Sequence, residues 1–127
     1  FAPRTILPTD SRQLTCVTPP PSQLMEIPMQ TLEIVTFRLV PGTDRAAFVK
    51  AAKGTEPAVR RQPGFVARML AEGTDGVWTD VITWASHDAA LAAAQAVMAD
   101  PDFAPFGALI DMASARMSHS TLVWRMD

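Results

Sequence analysis

The chain has 127 residues, 48% of them hydrophobic and 19% charged, with 11 basic and 13 acidic side chains and a formal net charge of −2. That length fits one domain, and balanced charge without runs of either sign excludes nucleic acid as the main partner. One cysteine, Cys16, rules out an internal disulfide or a thiol cluster for metal, two histidines are too few for a His-rich metal site, and no apolar run reaches the ~20 residues of a membrane span.

Residues 1–30 differ from the remainder. They hold six of the 11 prolines and none of the six glycines. Proline removes a backbone donor and fixes φ, so this stretch resists helix and sheet and reads as an irregular arm or leader. Its longest apolar runs are two or three residues, too short for a secretory signal.

Residues 31–127 alternate strand and helix signals. Thr31–Val40 is β-branched and alternating, a first strand, and Pro41-Gly42 breaks it. Thr43 or Asp44 can cap a helix predicted to reach Arg61, with Phe48, Ala51, Ala52, Thr55 and Val59 on one face. Gly54 and Pro57 predict a kink or break in its second half. Gln62-Pro63-Gly64 is a turn, Phe65–Glu72 a second strand, Gly73–Gly76 a hairpin loop and Val77–Ala85 a third strand. Ser86 caps an alanine-rich helix over residues 87–99 with Leu91, Gln95 and Met98 on one side. A short irregular or helical piece reaches Ile110, and Ala113–Met126 is the last strand.

The order βαββαβ is the ferredoxin-like split βαβ, an α+β fold with two helices on one face of a four-stranded antiparallel sheet. The strands are apolar on both faces: Trp78, Ile82 and Trp84 oppose Val77 and Val81, and Val35, Phe37 and Leu39 oppose Leu32 and Ile34. A second copy is the simplest cover for the back of the sheet, so a homodimer is expected.

Several segments carry a family resemblance: Phe37-Arg-Leu-Val-Pro-Gly-Thr-Asp44, Arg61-Gln-Pro-Gly-Phe65, Trp78-Thr-Asp-Val-Ile-Thr-Trp-Ala-Ser86 and Met98-Ala-Asp-Pro-Asp-Phe-Ala-Pro-Phe106. In these, residues 31–127 resemble the antibiotic-biosynthesis-monooxygenase-like (ABM) domains of the dimeric α/β-barrel superfamily. The resemblance implies a small cofactor-independent monooxygenase acting on an aromatic or polyketide-like molecule, in a pocket between sheet and helices. The same scaffold also carries non-catalytic barrels and isomerases or cyclases. Haem-degrading members need an asparagine on the first strand, a tryptophan on the third and a histidine on the second helix. Trp84 fits, but the first strand has no asparagine and Ala94 and Gln95 stand where the histidine would fall, so haem cleavage is disfavoured.

Few residues are left to carry chemistry. His119, mid-strand in the last strand, is the natural base because imidazole titrates near 6.5. Asp80 shares a face with Trp78, Ile82 and Trp84, where a carboxylate must be paired or have its pKa raised. Arg38, Arg68 and His119 are its candidate partners, either in a structural ion pair or in an acid–base pair with His119. In the monooxygenase scheme His119 and Asp80 are catalytic, and Arg38 or Arg68 supplies counter-charge. Trp78, Trp84, Phe103 and Phe106 wall the pocket, and no cofactor or metal is required. His87, at a helix start, reads as a solvated surface residue. The expected hallmark is a cavity of roughly 300 Å³ or more with His119 on its wall. The whole reads as a cytoplasmic homodimer with a small-molecule ligand.

Overall fold

Asp44 and Ser86 each begin a helix for the same physical reason: a short side-chain oxygen accepts an otherwise unpaired amide. Asp44 Oδ2 takes the Ala47 N–H at 3.0 Å and Ser86 Oγ takes the Ala89 N–H at 3.1 Å, each bond worth about 1 kcal/mol. In a computed structural model describing residues 29–127, the elements are β1 (Thr31–Leu39), α1 (Arg45–Gly54), α2 (Glu56–Arg60), β2 (Phe65–Glu72), β3 (Trp78–Trp84), α3 (His87–Met98), a 3₁₀ turn (Pro101–Phe103), α4 (Ala104–Ala108) and β4 (Ile110–Thr121). The expected N-terminal arm lies almost wholly outside the described residues.

The expected break after Gly54 is present. Pro57 has no N–H with which to continue α1, so Thr55 ends one helix and starts the next. Its hydroxyl bonds back to Ala52 O at 2.6 Å. At the next turn Gly64 takes φ +87°, and a Cβ there would lie 2.8 Å from Ala89 Cβ. Glycine is therefore needed both for the backbone and for the approach of α3.

The four strands form one open antiparallel sheet in the order β2-β3-β1-β4. This confirms the α+β, ferredoxin-like expectation. The last strand starts and stops earlier than predicted. Its start is irregular: the register against β1 shifts between Thr36 and Arg38, and Ser114 Oγ accepts the Arg38 N–H at 2.8 Å, standing in for a ladder carbonyl. Its end is set by its partner, because β1 begins at Thr31, which pairs with Thr121.

Odd-numbered residues of β1 and even-numbered residues of β3 face the helices, and two core clusters result. Phe37, Phe48, Trp78, Phe106 and Ile110 form one, with Phe48 stacked on Phe106 at 5.0 Å and edge-on to Trp78 at 4.9 Å. Such aromatic pairs add about 0.5–1.5 kcal/mol each beyond area burial. Val59, Ile82, Trp84, Ala90 and Ala93 form the other. α3 buries Ala90 and Ala93, not the side carrying Leu91, which is 46% exposed. Small residues let its backbone come close to the sheet. The opposite face of the sheet carries Leu32, Ile34, Val81 and the exposed Met69, with no helix over them among the described residues.

Candidate functional site

Between the two core clusters lies a cavity of ≈ 200 Å³. Its floor is the inward face of the sheet, including Glu33, Val35 and Ile82. Ala93, Ala94 and Val97 of α3 form its roof, and Phe103 and Phe106 close one end. Met98, Met112 and Met117, each at least half exposed, stand around it. Thioethers give such a lining adaptability.

Two buried polar groups interrupt this apolar wall, and the exposed Arg116 stands at its edge. The first is an ion pair. Arg68 Nε donates to Asp80 Oδ1 at 3.0 Å, and Nη2 donates to Asp80 Oδ2 at 2.7 Å. Arg68 Nη1 donates to Thr55 Oγ1 at 2.7 Å, and the guanidinium sits 5.3 Å from the centre of the Phe106 ring. The Asp80 and Arg68 side chains are 7% and 17% exposed. The planar fork of arginine matches a carboxylate in two parallel bonds, so each charge is neutralised where it stands. Break of the helix at Thr55 is what brings a hydroxyl within reach of the third nitrogen.

The second group is Glu33, which sequence reasoning passed over. It is 6% exposed in mid β1. Its Oε1 accepts the Trp84 indole N–H at 2.9 Å. Burial pushes its carboxyl above the ordinary value of 4.5, and this outweighs the Trp84 bond and the nearby His119, which pull the other way. The signal was present: Glu33 shares the alternation phase of Val35 and Phe37, as Asp80 shares that of Trp78 and Ile82.

Of the expected site residues, Asp80, Arg68, Trp84, Phe103 and Phe106 line the cavity. His119 does not line it. It pairs across the sheet with Glu33, its Nε2 lying 3.9 Å from Glu33 Oε1, and Glu33 stands on the cavity side. Asp80 spends both oxygens on Arg68 and none on His119. Arg38 is exposed beside the hairpin loop, where Nη1 donates to Asp75 O at 2.9 Å. Trp78 packs in the aromatic cluster and lines a separate, more polar cleft with Arg45, Lys53 and Arg60. His87 is exposed, as expected, but its ring also stands edge-on to His119, centroids 5.3 Å apart. Among the described residues no group of three or more His, Cys, Asp or Glu side chains is arranged to hold a metal, and no helix is long and apolar enough to cross a membrane.

No family model matches the sequence, and no curated protein sequence matches it. Solved structures do. SnoaB, a cofactor-independent oxygenase from Streptomyces nogalater, is 25% identical over 78% of this chain and 96% of its own, with a TM-score of 0.53. Two proteins carrying the antibiotic-biosynthesis-monooxygenase name share the fold at lower identity. The one from Nitrosomonas europaea is 10% identical over 79% of this chain and 96% of its own, with a TM-score of 0.60. The one from Caulobacter crescentus is 17% identical over 81% and 98%, with a TM-score of 0.59. The domain is thus ABM-like, as the sequence segments implied.

Proposed function

We propose that this chain binds a small electron-rich aromatic molecule in the cavity between sheet and helices and oxidises it with dioxygen, without a cofactor. The observation that carries the reading is the cavity itself: a partly open apolar space with aromatic walls, the buried carboxylate of Glu33 and the buried Arg68–Asp80 ion pair. At ≈ 200 Å³ it is smaller than the expected ~300 Å³, so the reading favours a ligand of one or two rings. The similarity to SnoaB, a cofactor-independent oxygenase, supports the reaction class.

A phenol in this space would lose its proton to a wall base and then pass an electron to dioxygen. The radicals combine at ring carbon. One oxygen atom becomes a new carbonyl, and the other leaves as water with the two hydrogens that the ring gives up. All four electrons needed to reduce dioxygen come from the substrate. The chain's part is to exclude water, hold the ring between Trp84 and Phe106, take the proton and stabilise the anion near Arg68.

The proposal extends to a homodimer, with the apolar back of the sheet as interface, acting in the cytoplasm. The test is oxygen uptake and quinone formation across a series of phenols and quinols. One dioxygen should be consumed per quinone formed, and Val35→Phe, which fills the cavity floor, should abolish uptake. Binding of the phenols without any enzyme-dependent uptake would overturn the oxygenase chemistry. It would favour the non-catalytic ligand carrier, a reading that the mutual neutralisation of Arg68 and Asp80 also suits.

A further inference from the structure

Glu33, His119 and His87 form a line from the cavity wall to solvent. Glu33 lines the cavity. His119 is its cross-strand neighbour on β4, with Nε2 3.9 Å from Glu33 Oε1. Beyond it His87, exposed at the start of α3, stands perpendicular to the His119 ring at 5.3 Å. His119 Nε2 is buried and has no hydrogen-bond partner among the described residues. A buried polar atom left without a partner calls for a physical reason. A distance of 3.9 Å is too long for a hydrogen bond. Contacts of this sort are commonly long in an empty site and tighten when the site is filled.

We propose that Glu33 is the acid–base group of the cavity, and that His119 and His87 carry its proton between the cavity and solvent. The inference deepens the function proposed above and rests on it for the identity of the proton donor. The ligand's O–H bond breaks, and its proton goes to Glu33. That proton then passes from Oε1 to His119 Nε2, and the other ring nitrogen releases one toward His87 and water. The same line returns a proton to the oxygen that leaves as water, so no net proton is released and Glu33 begins the next turnover ionised.

The surroundings favour proton exchange at Glu33. Trp84 on β3 holds one oxygen, and Asp80 on β3 and Arg68 on β2 act on it as charges of opposite sign. From β4 come His119 and, on the cavity wall, Arg116, whose Nη1 is spent on the Ala113 and Ala115 carbonyls. The helices above bring alanine, valine, Thr55, Met98 and phenylalanine to the cavity and no titratable group. Burial accordingly raises the Glu33 carboxyl above 4.5, toward the working range of a general base.

The experiment needs no substrate in its first arm. The Glu33 carboxyl carbon and the Trp84 indole N–H are followed by NMR through a pH titration of the wild-type protein. One shared transition is expected, with its midpoint above 4.5. The indole transition should vanish in Glu33→Gln. His119→Gln should move the Glu33 midpoint upward, because His119 lowers it. An indole that titrates unchanged in Glu33→Gln, or a Glu33 midpoint indifferent to His119, would overturn the relay. The second arm uses a phenol found to be turned over. Glu33→Gln should lose roughly 100-fold or more in turnover, whereas His119→Gln should slow turnover in a way that added imidazole buffer restores. Undiminished turnover in Glu33→Gln would overturn the assignment. A shared titration without turnover of any phenol would leave the acid–base line standing and overturn only the oxygenase reading.

Discussion

Replacing Asp80 with alanine strands Arg68. In the wild type, Arg68 makes two bonds of 3.0 and 2.7 Å to Asp80 and one of 2.7 Å to Thr55. Its side chain is only 17% exposed, and that of Asp80 7%, so solvent replaces little of what is lost. The variant keeps the Thr55 bond and the Phe106 ring but has a buried cation without its counter-charge. Breaking a buried pair from one side costs about 3–5 kcal/mol. Against a total stability of about 5–15 kcal/mol for a domain, that is a large share. It should appear as a fall in Tm of roughly 15–30 °C. Asp80→Asn, which keeps one acceptor, should lose less. The double variant Arg68→Leu/Asp80→Leu removes both charges together and should lie within about 2 kcal/mol of the wild type. Urea unfolding of the wild type, Arg68→Leu, Asp80→Leu and the double variant at one protein concentration gives the coupling energy directly. A loss below about 1 kcal/mol for Asp80→Ala, or a double variant that loses the sum of the singles, would refute the claim that this pair is desolvated and mutually dependent.

Three further outcomes are expected. Because Glu33 holds its proton more tightly folded than unfolded, its contribution to stability is fully present below 4.5 and is lost as pH rises through the raised value. Urea midpoints of Glu33→Gln should therefore gain on the wild type with rising pH, and parallel curves would refute the raised value. Gly64→Ala combines φ +87° with a 2.8 Å approach to Ala89 Cβ. It should cost roughly 2–4 kcal/mol, against about 1–2 kcal/mol for Gly42→Ala, where φ is +84° and the space is open. Val81→Arg puts a charge at the middle of the bare sheet face. Light scattering should show a dimer for the wild type and a monomer for the variant, and a monomeric wild type would remove the proposed interface.

The fold was legible because alternation and punctuation agreed. β1 and β3 carry large apolar residues on both phases, and Gly54, Pro57 and Gly64 fall where the backbone turns. The ends of β4 were not legible. Asp111 to Ser114 carry a side-chain substitution for a ladder bond, and the far end depends on where β1 starts. In the candidate site, Asp80 stood out as a carboxylate on an apolar face, and Arg68 was among its named partners. Choosing Arg68 over Arg38 required alternation phase: Arg68 points toward the helices and Arg38 away. Glu33 was missed although the same test applied to it, because β1 was read for its apolar members alone. The distance from His119 to the cavity depends on which of two cross-strand neighbours lies nearer the helices, and periodicity carries no such information.

The closely packed alanines of α3 have a consequence of their own. Ala93 and Ala94 form part of the ceiling of the cavity, with Ala90 wholly buried one turn back. Side chains there can grow by single substitutions while Glu33, Arg68 and Asp80, all carried by strands, stay where they are. The volume of the cavity and its charged groups are thereby set by separate elements. A larger side chain at Ala94 would narrow the space without displacing the carboxylates and the guanidinium beneath it.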